Sequence, residues 1–233
     1  MKPVIRFTAI AGAVLLLLGC ASIPVKKYYI LNYVPTNPVK RLYHSAYPYT
    51  IIVTDFEIEQ AYNRKQIVYR KSPYELQYYF YRMWAVKPAT MIADMVQKHL
   101  RAVNLVSHIV RRYDEGQNPD YRLSGYIEAI EEYDSEEIWY AHIALRLELT
   151  RMSDGSLIYT RHFDKIIQVF ENNPEYVVQE MSNIMDYILT QATHDIDVEL
   201  AKEYGVPLDG SMSKLKVPVP ESADTLEARD EQE

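Results

Sequence analysis

Histidine is the side chain best suited to move a proton or hold a metal near neutral pH, and the sequence has six, at positions 44, 99, 108, 142, 162 and 194. No two of them stand in HExxH or HxH spacing. The nearest approach to a ligand set is His194-Asp195-Ile196-Asp197, which falls on the polar side of a helical pattern and reads as a solvated face. His142 and His162 fall on the polar sides of neighbouring strand patterns, as a cross-strand pair on the wet face of a sheet would. Glu131-Glu132 and Glu136-Glu137 flank a turn, where charge keeps a hairpin in water. There is no GxSxG nucleophile elbow, no GxGxxG and no GxxxxGK[ST] among the 233 residues. These patterns assign no catalytic residue, no metal and no cofactor. A hydrolase stays among the alternatives because triads assemble in space rather than along the chain.

The single cysteine, Cys20, can form neither an internal disulfide nor a cysteine-based zinc site. What precedes it gives it a different chemistry. Lys2 and Arg6 open the chain, and Phe7 to Leu18 run apolar. That run is shorter than the roughly 20 residues that cross a bilayer and ends in small residues, which is the pattern of a secretory signal over residues 1–19. Leu17-Leu18-Gly19-Cys20 resembles the lipobox of bacterial lipoproteins, with Leu18 a less usual occupant of its slot. In that chemistry the thiol accepts a diacylglycerol and a protease cuts before it, the small Gly19 leaving the bond accessible. The alternative is a conventional signal cleaved among the small residues Cys20-Ala21-Ser22. With lipidation at Cys20, residues 20–27 are an acylated tether and palmitate is among the chains expected on it. Ala21 is not the aspartate that retains such proteins at an inner membrane, so the resemblance implies the outer membrane, with the domain facing the periplasm.

Charge narrows the partners. Lys and Arg number 25 against 32 Asp and Glu, a net −7 with pI near 5.4. This argues against nucleic acid. Loss of residues 1–19 removes Lys2 and Arg6 and leaves −9, from 23 basic and 32 acidic residues. On that balance no generic attraction to anionic headgroups is expected, and lipid contact beyond the acyl chains falls to a shaped apolar surface.

The rest of the chain reads as one α+β domain over 28–205, in the order strands, helix, strands, helix. Tyr28-Tyr29-Ile30-Leu31 is strand-like, 34–48 is a proline-marked loop, and Thr50–Ile58 and Gln66–Arg70 are strands. Tyr74 to Trp84 alternates, placing Tyr74, Leu76, Tyr78, Phe80 and Trp84 on one face. After Pro88 the period becomes helical through Ile92, Met95, Val96, His99 and Val103, with Asn104 as terminator. Tyr121–Tyr133, Ile138–Met152 and Leu157–Val169 form an antiparallel meander, the second turn marked by Ser153-Asp154-Gly155. Asn173-Pro174 opens a long helix with the stripe Val177, Met181, Ile184, Ile188, Ala192, Ile196 and Leu200, ending near Gly205. The expected architecture is an antiparallel-rich sheet with two main helices packed on it. Residues 206–233 are proline-marked and acidic, a disordered tail.

Tyrosine is in excess, 21 against five Phe and two Trp. Most of these rings suit half-buried sheet positions. Tyr69, Tyr79 and Tyr81 lie off the apolar face of their region, and with Trp84 they are the candidate partner or lipid contacts. Trp84, at a strand-to-helix junction, also suits the core.

Two further stretches carry a family resemblance. Tyr62-Asn63-Arg64-Lys65-Gln66-Ile67-Val68-Tyr69-Arg70, a tyrosine-rich strand, Trp84-Ala85 and then Pro88 with a helix form the first; Asp120-Tyr121-Arg122-Leu123-Ser124-Gly125 is the second. Together with the lipobox and Tyr28-Tyr29-Ile30-Leu31, they resemble the ABC-type transport auxiliary lipoproteins, the family of the paraquat-inducible lipoprotein. Asn63 and Lys65 stand where that family has acid and proline, and Val86-Lys87 interrupts its Trp-Ala-acid-Pro run. The resemblance implies a non-catalytic component of an intermembrane phospholipid transport system. Its partners would be an MCE (mammalian cell entry) protein with its permease and ATPase, and further copies of itself, since some members form rings. The alternatives are an envelope-assembly lipoprotein serving lipopolysaccharide or outer-membrane protein insertion, and a lipid-anchored hydrolase.

Overall fold

A computed structural model describes residues 24–35, 42, 45–113, 118–134, 138–171 and 173–206. The signal segment, Cys20, Glu136-Glu137 and the tail from 207 onward lie outside these.

The longest elements form where the sequence is most regular. Helix α2 (Pro174–Tyr204) starts where the Asn173 side chain accepts a hydrogen bond from the Glu175 N–H at 3.0 Å, with Pro174 supplying a fixed φ in the first turn. It stops at Gly205, whose φ of 76° is left-handed backbone that only glycine adopts without cost. Its buried stripe packs on β8 (Trp139–Arg151) and β9 (Leu157–Val169). Helix α1 (Pro88–Ala102) packs on β2 (Tyr47–Val53) and β6 (Val106–Val110), and Asn104 beyond it takes a φ of 53°. Buried Ile143, Leu145, Leu147 and Leu149 of β8 meet Met181, Ile184, Ile188 and Ile196 in one core.

The sheet is organised around the 14-residue strand β7 (Tyr121–Asp134). One edge of β7 pairs antiparallel with β8 along its full length, and β8 with β9, as expected of the meander. The other edge is shared by three strands in succession: β2 at Tyr121–Leu123, β3 (Glu57–Ile58) at Tyr126–Ile127, and β4 (Gln66–Ser72) at Glu131–Tyr133. All three run parallel to β7, so the sheet forks. Beyond β2 lies β6; beyond β4 lie β5 (Glu75–Trp84) and β1 (Lys27–Tyr29). The fold is therefore α+β with two helices among the described residues, but its sheet is mixed rather than simply antiparallel-rich: the antiparallel hairpins hold the long strands and parallel pairings join them to the rest.

Several expectations change in detail. The stretch from Thr50 to Ile58 is two strands, because β2 must leave β7 at Val53 for Phe56 to turn into the core. Tyr47, within the expected loop, already belongs to β2, and β6 was not foreseen. In β5 the single apolar face fails. Four residues, Tyr79 to Arg82, stand opposite Ile67 alone, a wide bulge that throws Trp84 out of step with Tyr78. Trp84 is 1% exposed, whereas Tyr74 is 99% and Phe80 80% exposed.

Candidate functional site

Strands β4, β5 and β1 make a wing whose base is packed and whose end is bare. At the base, Trp84 is in the core, the Leu31 N–H approaches Met91 Sδ of α1 at 3.4 Å, and the Asn32 N–H donates to Ser182 Oγ of α2 at 3.2 Å. Towards the hairpin end, Tyr74, Tyr78, Phe80 and Tyr81 of β4–β5 are exposed, and Val25, Tyr28 and Ile30 are exposed along β1. Tyr69 and Tyr79 are half-buried and stacked on each other at 4.4 Å between centroids. Guanidinium groups cover two rings: Arg64 lies 3.7 Å from the Tyr78 centroid and Arg82 4.1 Å from that of Tyr79.

Two successive glutamates of β7 hold this wing. Neither lies at a wet turn as the sequence suggested; both are 2% exposed. Since neighbours on a strand point to opposite faces, each meets a different set of partners. Glu131 accepts from Arg70 Nε at 2.8 Å and the Tyr62 hydroxyl at 2.6 Å, with His142 Nδ1 at 3.2 Å. Arg70 also donates to the Tyr62 oxygen at 2.9 Å, and His142 Nε2 lies 3.0 Å from Asp164. Burial alone would push the Glu131 carboxyl up, but its bonds to His142, Arg70 and Tyr62 outweigh this and hold it below the usual carboxylate range. Burial likewise opposes the His142 imidazolium, and its two carboxylate partners overcome it, raising the pKa. Glu132 accepts from the Tyr79 hydroxyl at 2.9 Å and has one buried oxygen without a partner among the described residues. Here burial wins over Tyr79 and Arg82, and the pKa rises. Charge-assisted bonds of this kind contribute on the order of 1.5–3 kcal/mol each. They fix β4, the Tyr62 loop and β5 onto the long central strand.

The histidine and carboxylate clusters of the sequence resolve into structure. His142 and His162 are not a pair: His142 stands across from Ile166, while His162 faces Arg146 and lies 3.0 Å from Glu128. Asp197 is not on a solvated face but fully buried, accepting from the Tyr47 hydroxyl and the Leu42 N–H, each at 2.7 Å. Asp195 pairs with Arg161 at 2.7 Å. No group of three metal-ligating side chains occurs among the described residues. No described helix is long and apolar enough to cross a membrane. A solvent-open cavity of about 340 Å³ sits in the fork beside β3, where Arg122, Arg146 and Glu148 line it with the 3.0 Å Arg146–Glu148 pair.

Of the four contact candidates, Trp84 is in the core, Tyr69 and Tyr79 are committed to each other and to the Glu132 side, and Tyr81 reaches solvent. Sequence reasoning missed Glu131, Glu132 and Arg70 as a unit. A signal was present: two consecutive acids interrupt the alternation of a strand otherwise rich in buried apolar residues. The Asp120–Gly125 stretch also has a structural meaning. Asp120 Oδ2 accepts from the Thr50 N–H at 2.7 Å, locking β2 beside β7, Tyr121 and Leu123 are buried, and Gly125 leaves room for Phe56.

Two solved structures agree with this architecture. Protein XCC0632 from Xanthomonas campestris superposes with a TM-score of 0.66 at 18% identity, covering 77% of this chain and 99% of that one. A second solved structure, of an uncharacterized protein, gives 0.51 at 14% identity over 77% and 99%. A PelC dodecamer from Paraburkholderia phytofirmans gives 0.41 at 13% identity over 63% and 89%. No curated protein sequence matches. The family model described as ABC-type transport auxiliary lipoprotein component matches residues 29–192, from the last residue of β1 well into α2. The chain belongs to that family, as a lipid-anchored envelope protein that serves as an auxiliary transport component.

Proposed function

We propose that this chain is the non-catalytic auxiliary subunit of an MCE-type intermembrane phospholipid transporter, acylated at Cys20 and held on the periplasmic side of the outer membrane. The observation that carries this reading is the family match across nearly the whole folded domain. The lipobox-like Leu17-Leu18-Gly19-Cys20 supports the anchor, and Ala21 supports the outer membrane as its destination. Its work is tethering. Acyl chains fix the domain to one bilayer, the MCE protein and its permease and ATPase reach from the other, and confinement between the two raises their effective concentration so that a modest interface suffices.

The test is recovery of the complex. The full-length lipoprotein, tagged at its C-terminus and expressed at native level, is crosslinked in cells and purified from the envelope. An MCE-domain protein with its permease and ATPase is the expected company, and deletion of the lipoprotein is expected to sensitise cells to detergent. Purified transporter complexes that never contain this chain would overturn the proposal.

A further inference from the structure

The whole-chain charge of −7 conceals a sharp segregation. Residues 24–30 and 62–87, which build the wing and its flanks, carry Lys26, Lys27, Arg64, Lys65, Arg70, Lys71, Arg82 and Lys87 against Glu75 alone. Among the described residues only Arg70 of these eight makes an ion pair. Lys26, Lys27, Lys65 and Lys71 are exposed. Lys71 adjoins the bare aromatic end of the same wing, led by Tyr74 and Phe80, while Lys65 stands at the base against the Ala85 carbonyl. Cationic side chains around exposed Tyr and Phe rings are the composition of a surface that settles at the headgroup level of an anionic bilayer. The expectation of no attraction to such lipids rests on net charge, which averages over a molecule whose charges are sorted.

The register of β1 says where that bilayer is. β1 runs parallel to β5, with Lys27 beside Arg82 and Tyr29 beside Trp84. Followed back towards the N-terminus from Lys27, the chain therefore heads towards the hairpin end of β5. Cys20 is four residues before Pro24, the first described residue, and four residues span at most about 14 Å. A lipid anchor at Cys20 is therefore tied to the domain through β1, the outer strand of the wing.

The geometry points to a second membrane contact: the β1–β4–β5 wing lies on the anionic surface of the bilayer that holds the acyl chains, its Tyr74 and Phe80 rings at the headgroup level and its lysines on lipid phosphates. This rests on the lipid-anchored reading. It orients the domain, setting the fork and helices away from the membrane and towards a partner.

The test uses the full lipoprotein purified from cells, carrying Phe80→Cys with a nitroxide on the new thiol; a second protein carries Glu180→Cys on α2 as control. Each is reconstituted with vesicles of neutral phosphatidylcholine or with 30% phosphatidylglycerol, floated, and the depth of the label read from its collisions with oxygen and with an aqueous nickel chelate. Expected are flotation with both vesicles, a label at 80 shielded from the chelate in anionic vesicles, and a label at 180 in water. Charge reversal at Lys26, Lys27, Lys65 and Lys71 to Glu is expected to return the label at 80 to water while flotation persists. A label at 80 as aqueous as that at 180 on floated anionic vesicles overturns the docking and leaves the anchor standing. Flotation with anionic vesicles alone, with the label at 80 shielded and two labels per chain because Cys20 is free, supports the docking and overturns the anchor. Absence from both vesicles overturns both.

Discussion

At the scale of single residues the molecule is decided by where charge is buried. Glu131 is a carboxylate taken out of water and then surrounded by three donors, and its neighbour Glu132 is taken out of water with one. The letters show two acids interrupting a strand's alternation but not that both are buried, since Glu-Glu before a turn is ordinarily a solvated pair. Burial follows from Tyr62 and Arg70 folding over β7 from 69 and 61 residues away. The pH dependence follows from His142. Its pKa in the folded protein is raised by Glu131 and Asp164, so its contribution to stability is complete below the unfolded value near 6.5 and is lost as pH rises through the folded value. Wild type and His142→Gln compared by urea unfolding should therefore differ more at pH 5.5 than at pH 8.5. An equal difference at both would mean that the imidazolium does not hold Glu131.

At the scale of elements, regular periodicity was readable and edges were not. The stripe and caps of α2 and the three meander strands are local signals reinforced by packing on both partners, so sequence and structure agree. β5 breaks its alternation because it lies near the rim of the sheet, where a bulge costs little. Tyr74, Tyr78 and Phe80 alternate as core residues would, yet Tyr74 and Phe80 are bare and the Tyr78 ring is covered only by Arg64. The Asp120–Gly125 stretch was legible as a motif but its physics was not. A Cβ at position 125 would lie 2.4 Å from Phe56 Cε2 and 2.9 Å from the Arg146 carbonyl oxygen. The ring could shift, but the strand backbone cannot. Gly125→Ala is expected to destabilise by about 1–3 kcal/mol, the usual cost of overpacking. Gly125→Ala combined with Phe56→Leu should not fully restore stability in denaturant titration, because the Arg146 carbonyl remains. Complete restoration would place the whole constraint on the ring.

At the scale of the whole molecule the fork explains how one chain presents two different surfaces. β7 has a continuous partner on one edge and three short ones on the other, so the sheet divides into a body packed on the helices and a wing whose end is bare, and the wing with its flanks carries eight basic residues against one acid. Composition reports the sum of the two, so an acidic balance does not by itself decide how the wing meets an anionic surface. Fields close to a surface are set by charges within about a Debye length, roughly 10 Å at 0.1 M salt, rather than by the total. A protein with pI 5.4 and uniform charge would pass through a heparin column at pH 7.5. The segregated chain, applied as the detergent-solubilised lipoprotein at low salt, should be retained, and the variant with Lys26, Lys27, Lys65 and Lys71 changed to Glu should run through. Both should bind an anion exchanger at the same pH, because the body keeps its acids. Failure of the wild-type protein to bind heparin would show that the wing's cations are neutralised by the remainder of the molecule, and the charge sorting read from the topology would have no reach into solution.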